Sequence, residues 1–259
     1  MKKWFNFYNN EKTNTSEIAI FSEIDNQSLN DFANEFNAIK NNEHITLFLN
    51  SPGGDVFAGM AIYNLLYSVK EKLTIEVMGY AASIASVILL AADERIIDNG
   101  SFVMIHDPFT ISAGTSEDLR KDADTLDRVK EQIVSIYTER TGLDTKAIFE
   151  MMEKETWLDC SQAVENGFAT NVNNKAKIAA CAFGSISMGF KNVPKNLIRQ
   201  QIKIEDLTIR DYEEILRDVG FSRAEATQLA RDGFKTAETR DAKKPDEVSD
   251  FLKELSIRL

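Results

Sequence analysis

Thr74-Ile-Glu-Val-Met-Gly-Tyr-Ala-Ala-Ser83-Ile-Ala-Ser-Val-Ile-Leu-Leu-Ala-Ala92 reads as a strand, a tight turn and then an apolar helix. That reading puts Ser83 at a helix N-terminus, where outward-pointing N–H groups favour developing negative charge. Upstream, Leu49-Asn-Ser-Pro-Gly-Gly-Asp55 supplies a second turn with exposed amides. Downstream, Phe102-Val-Met-Ile-His106 brings an imidazole to the end of a strand. The chain has only two histidines, and His106 follows Ser83 by 23 residues. A nucleophile, a neutral base and oxyanion donors together are the components of a serine hydrolase.

Working outward, strand-like runs alternate with helical periodicity as far as about residue 172. Residues 18–21 read as a first strand. Leu29, Phe32, Ala33, Phe36 and Ile39 then recur at helical spacing, and Ile45-Thr-Leu-Phe-Leu49 reads as the next strand. Asp55 caps a helix whose apolar face holds Ala58, Ile62, Leu65, Leu66 and Val69. Further strands are expected at residues 95–97 and 102–105. Thr115 or Ser116 then caps a long helix ending at Gly142, with Leu119, Ala123, Leu126, Val129, Ile133, Ile136 and Tyr137 on one face. Asp144 starts another helix, and residues 160–166 form a short one closed by Gly167. Such alternation predicts an α/β fold of repeated strand–helix units around a largely parallel sheet.

The pattern changes after Asn171. Residues 173–195 read as a linker or a hairpin, and residues 196–259 as a small helical C-terminal appendage. Its helices are expected at 209–219, at 222–231 and at 248–259. Residues 207–233 have the outline of a helix-turn-helix, but nearly balanced charges point to packing or protein binding rather than DNA.

A net charge of −11 argues against nonspecific attachment to nucleic acid or an anionic membrane, both of which require cationic surface. Met1-Lys-Lys-Trp-Phe-Asn-Phe-Tyr-Asn-Asn10 is too short and polar for a secretory core, and the apolar run 81–92 is too short to span a bilayer. The two cysteines, Cys160 and Cys181, offer neither a disulfide framework nor zinc-ligand spacing, and read as thiols of a reducing, cytoplasmic compartment.

Asn50-Ser-Pro-Gly-Gly-Asp55, Gly79-Tyr-Ala-Ala-Ser-Ile-Ala-Ser86, Met104-Ile-His-Asp-Pro108 and Trp157-Leu-Asp-Cys-Ser-Gln-Ala-Val-Glu-Asn-Gly-Phe168 together resemble the ClpP family. These are self-compartmentalising serine peptidases of the crotonase-like superfamily. The resemblance covers roughly residues 16–172, and places the peptidase domain at 1–172. The Glu-Thr-Trp-Leu variant and the appended tail are most similar to the phage and prophage branch, the head maturation proteases.

Carried over by position, the resemblance implies Ser83 as nucleophile and His106 as general base. Gly53, Gly54 and Ile84 are implied as oxyanion donors. The family's third member is usually an aspartate two residues before the position of Trp157, and Glu155 stands there instead. Asp159 and Asp107 are the other carboxylates weighed for that role. The resemblance further implies protein substrates, capsid or scaffold proteins among them, a homo-oligomeric ring, and no metal or cofactor. Within the prohead or the host cytoplasm the chain would act as a maturation protease. Readings kept beside it are a housekeeping ClpP subunit, an acyl-CoA enzyme holding an enolate with the same amides, and an inactive assembly scaffold.

Overall fold

The computed structural model describes residues 3–174, Asn192, Val193 and Thr227. The chain divides into two units, Met1–Ile198 and Arg199–Leu259, and the fold set out here belongs to the first. Apart from Thr227, the expected helices at 209–219, 222–231 and 248–259 lie outside the described residues, as does nearly all of 173–195.

Eight strands form one mixed sheet with helices packed on it, in keeping with the expected α/β class. Strands β1 (Phe5–Asn10) and β2 (Thr15–Ile20) make an antiparallel hairpin. Parallel neighbours follow: β3 (His44–Ser51) on β2, β4 (Leu73–Ala82) on β3, and β5 (Glu94–Asp98) on β4. Strand β6 (Phe102–Ile105) also runs parallel to β4, but along its last residues. Strand β7 (Thr156–Asp159) pairs antiparallel with β6, and β8 (Asn171–Asn173) lies parallel on β5. The long strand β4 thus serves two neighbours. Thr74–Val77 pair with β5 and Tyr80–Ala82 with β6, so the sheet divides just before Ser83. A crevice where strand neighbours change is where α/β sheets place their ligands.

The hairpin strand β1 is absent from the sequence expectation, and the first expected strand, 18–21, is shifted to Thr15–Ile20. Its asparagine-rich text hides an inward-facing aromatic set. Trp4 and Phe5 are buried, and the Trp4, Phe5 and Phe7 rings pack around Phe32 at centroid distances of 5.2–5.5 Å. Phe21 is outside the strand and 53% exposed. Strands β7 and β8 are likewise unanticipated. They are too short to show a period, and their partners lie far away in sequence. β8 carries the sheet one residue past 172.

The helices follow their caps. Helix α1 (Leu29–Ile39) buries Phe32, Phe36 and Ile39. Helix α2 (Val56–Tyr67) begins where the Asp55 carboxylate accepts from the Ala58 N–H at 2.7 Å. Helix α3 (Ile84–Leu89) is buried at every residue, and Arg95 and Arg140 both donate to the Ala92 carbonyl just beyond it. Helix α4 (Ser116–Thr141) starts in a Thr115–Asp118 capping box and stops at Gly142, which has φ +79°. Helices α5 (Thr145–Glu153) and α6 (Cys160–Glu165) are capped by Asp144 and Asp159.

Candidate active site

The site forms at the C-terminal ends of β3, β4 and β6. Ser83 follows β4 directly and caps α3 with φ +55° and ψ −130°, backbone angles a side chain rarely adopts. Such a conformation persists only where its surroundings enforce it. The Ser83 N–H donates to the Met104 carbonyl at 3.0 Å. The Ser83 carbonyl accepts from the Ser86 N–H at 2.9 Å and from the Ser86 hydroxyl at 2.5 Å. This elbow lifts the Ser83 hydroxyl off the sheet end, where Oγ lies 2.8 Å from His106 Nε2.

His106 immediately follows β6, and its half-buried ring packs against Phe109 at 5.8 Å. Burial pulls the imidazole below its ordinary 6.5, while the charges of Glu155 and Asp107 pull the other way. The resting ring is therefore neutral near pH 7, the form a base requires.

Glu155 directly precedes β7, one residue beyond the β6–β7 ladder. Met104 pairs with Trp157 and Ile105 with Thr156, so the next pair in register is His106 and Glu155. The side chain is 8% exposed, the backbone is left-handed at φ +48°, and Trp157 Nε1 donates to Oε1 at 3.3 Å. Asp159 stands at the opposite end of β7, across from Phe102. Its carboxylate accepts from the Gln162 N–H at 2.9 Å in the capping box of α6. Asp107 faces Lys130, with Nζ 2.7 Å from Oδ1. Of the three carboxylates weighed, Glu155 is the one in register with the imidazole.

The glycine turn approaches from β3. A methyl group on Gly53 would stand 2.7 Å from Ser83 Cβ and 3.1 Å from the Ile84 nitrogen, so only glycine fits there. Gly53 and Ile84 therefore flank Ser83. The Gly53 N–H points to the buried Ser51 hydroxyl at 3.2 Å, and that hydroxyl donates to the Ser22 carbonyl at 2.7 Å. Ile84 is the first residue of α3, and its N–H has no acceptor within the helix. Gly54 lies one residue on, its open side against the Ile24 backbone, where the chain is bridged in parallel.

Ser86, the rival serine, is fully buried and its hydroxyl lies 2.7 Å from that of Tyr137 on α4. Sequence patterning counts Tyr137 only as part of an apolar face, since a tyrosine on a helical stripe gives no sign of where its hydroxyl points. His44 is exposed at the start of β3, away from these residues. Cys160 is a free thiol, and among the described residues no group of three or more histidine, cysteine or carboxylate side chains is arranged to hold a metal. No helix among them is long and apolar enough to cross a membrane.

The family described as Clp protease matches residues 2–176. The ATP-dependent Clp protease proteolytic subunit of Chlorella vulgaris is 33% identical over 138 residues, 52% of this chain and 69% of its own length. Subunit 3 of Rhodococcus jostii is 35% identical over 130 residues, 49% of this chain and 64% of that one. Subunit 1 of Leifsonia xyli subsp. xyli is 28% identical over 177 residues, 66% of this chain and 90% of its own. With more than half of its length matched and the serine–histidine contact at the sheet end, the chain belongs to the Clp protease family of serine-type peptidases.

Proposed function

We propose that this chain is a ClpP-like serine endopeptidase working through Ser83, His106 and Glu155. Ser83 Oγ attacks the scissile carbonyl as His106 Nε2 takes its proton, and the imidazolium then protonates the leaving amine. Glu155 holds the ring and steadies its positive charge. Gly53 and Ile84, with Gly54 beside them, donate to the oxyanion; Gly53 exchanges its neutral bond to Ser51 for a stronger one to a charged oxygen. The observation that carries this reading is the 2.8 Å contact between Ser83 Oγ and His106 Nε2 at a left-handed elbow. The test is labelling of full-length protein by a fluorophosphonate probe. Labelling at Ser83, lost in Ser83→Ala, supports it. No labelling of active-site serine in folded protein would overturn it, and would favour an acyl-CoA enzyme or an inactive scaffold.

The substrate reading is finer. We infer a role in capsid maturation, with capsid or scaffold proteins cut by a homo-oligomeric ring, and with the region after residue 195 as an appendage to a peptidase domain at 1–172. Its support is the Glu155-Thr-Trp-Leu158 variant and the extent of chain beyond the family match, which ends at residue 176. The names of the relatives favour a second reading, a proteolytic subunit fed by an ATP-driven unfoldase. Cleavage of a folded, tagged substrate only with an unfoldase and ATP supports the second. Cleavage of a scaffold protein without ATP supports the first.

A further inference from the structure

Asn192 touches the acid of the triad. Its backbone N–H donates to Glu155 Oε1 at 2.6 Å, and its side-chain amide donates to the Lys154 carbonyl at 2.6 Å. One residue therefore grips both the carboxylate and the peptide that precedes it, from 37 positions further along the chain. Trp157 Nε1 also donates to the same oxygen, at 3.3 Å.

The grip answers a physical need. A glutamate has one more rotatable bond than an aspartate, and an orienting carboxylate is effective only if it stays put. The backbone at Glu155 is also left-handed, a conformation unfavourable for a non-glycine residue unless neighbours hold it. The ladder through β7 begins only at Thr156, so Glu155 itself lies just outside its support. Bonds to the Lys154 carbonyl on one side and the Glu155 carboxylate on the other pin this turn at both ends.

Resting on the triad proposed above, we infer that Asn192 is a positioning residue for the peptidase reaction: its clamp on Lys154 and Glu155 Oε1 fixes the carboxylate so that Oε2 serves the His106 ring. The catalytic unit therefore includes Asn192, which lies past the boundary that sequence patterning suggests at 172.

The experiment measures the rate of Ser83 labelling by a fluorophosphonate probe against pH in the full-length chain. Asn192→Pro removes the N–H. The expected result is a lower plateau, by up to about 10²-fold as for a misplaced catalytic group, and an acid midpoint moved to lower pH as the carboxylate drifts from His106. Asn192→Ala, which keeps the N–H but frees it from Lys154, gives a smaller change in the same direction, and Asn192→Gln restores part of it. Added to Glu155→Ala, the Asn192 changes have no further effect. If Asn192→Pro does not fold, judged by circular dichroism, the alanine and glutamine variants decide on the same readouts. Wild-type plateau and midpoint in the Asn192 variants, with Glu155→Ala crippled, overturn this inference alone. Wild-type behaviour of Glu155→Ala overturns the assignment of the acid and this inference with it.

Discussion

The Tyr137 hydroxyl lies 2.7 Å from the Ser86 hydroxyl, which in turn donates to the Ser83 carbonyl at 2.5 Å. Since each hydroxyl has one proton, Tyr137 must be the donor of the first bond. The long helix α4 is thus wired to the backbone of the elbow through two buried hydroxyls. Tyr137→Phe removes the first donor and leaves Ser86 still bonded to Ser83. A stability loss of about 1 kcal/mol is expected, with a small fall in Ser83 labelling rate. Ser86→Ala strands the Tyr137 hydroxyl and removes one of the two bonds to the Ser83 carbonyl, so it should cost more, about 1–3 kcal/mol. Thermal melting beside labelling rate checks both.

Ser83→Ala and His106→Ala are each expected to abolish turnover, with losses approaching ~10⁶-fold, because triad members act as a unit. Both should fold, since neither side chain is part of the buried core. Retention of more than a few per cent of peptidase activity by purified Ser83→Ala refutes the assignment.

Burial holds His106 below its ordinary 6.5, so the acid limb of kcat/KM should lie below pH 6.5. Glu155 is the largest influence in the opposite direction. Glu155→Gln removes that charge, and the limb should move to still lower pH while the plateau falls, on the scale of ~10⁴-fold for an orienting carboxylate. A limb that moves up, or stays in place, contradicts the electrostatic role given to Glu155.

Gly59 on α2 faces Ile84 so closely that an added methyl group would stand 2.2 Å from its Cγ1. Gly59→Ala therefore pushes on the residue whose amide flanks Ser83. Overpacking of this kind costs about 1–3 kcal/mol, and labelling at Ser83 should fall more than melting temperature alone accounts for. Unchanged labelling would show that α3 yields without moving the amide.

Asp98 at the end of β5 is 3% exposed, and burial, then the neighbouring Glu76, raise its pKa to about 6. Asn173 on β8 donates to Glu76 Oε1 at 2.9 Å and opposes the shift. The folded state therefore holds a proton that the unfolded chain releases between about pH 4 and 6. The stabilisation from protonated Asp98 is complete at the lower pH and is lost as pH rises through 6. Asp98→Asn should raise the melting temperature at pH 8 and leave it nearly unchanged at pH 4. A variant less stable than wild type at pH 8 would contradict this.

Much of the candidate site could be proposed from sequence because its motifs sit in contiguous text. Ser83, Gly53 and Ile84 lie in short turns whose residue types dictate backbone shape, and Asp55, Thr115 and Gly142 announce their helix ends. What stayed hidden depends on pairing across long gaps. Nothing local in Thr156-Trp-Leu-Asp159 says that it lies antiparallel to residues 102–105, yet that register is what sets Glu155 opposite His106. The hairpin strand Phe5–Asn10 was hidden for a related reason, since its aromatic face is intelligible only beside Phe32. The Tyr137 and Asn192 contacts are hydrogen bonds between groups that patterning treats as a core ring and a loop amide.

The divided sheet has a consequence for how activity fails on heating. Ser83 hangs from β4 and His106 from β6, two strands hydrogen-bonded to each other over Tyr80–Ala82 and Phe102–Met104. The proposed nucleophile and base are thus read off one rigid rule, and their spacing lasts as long as the sheet does. Glu155 has its second fastening outside that rule. On warming, the enzyme should pass first through a slack, slow form with serine and histidine still paired, and only afterwards lose activity altogether in the same step that melts the sheet.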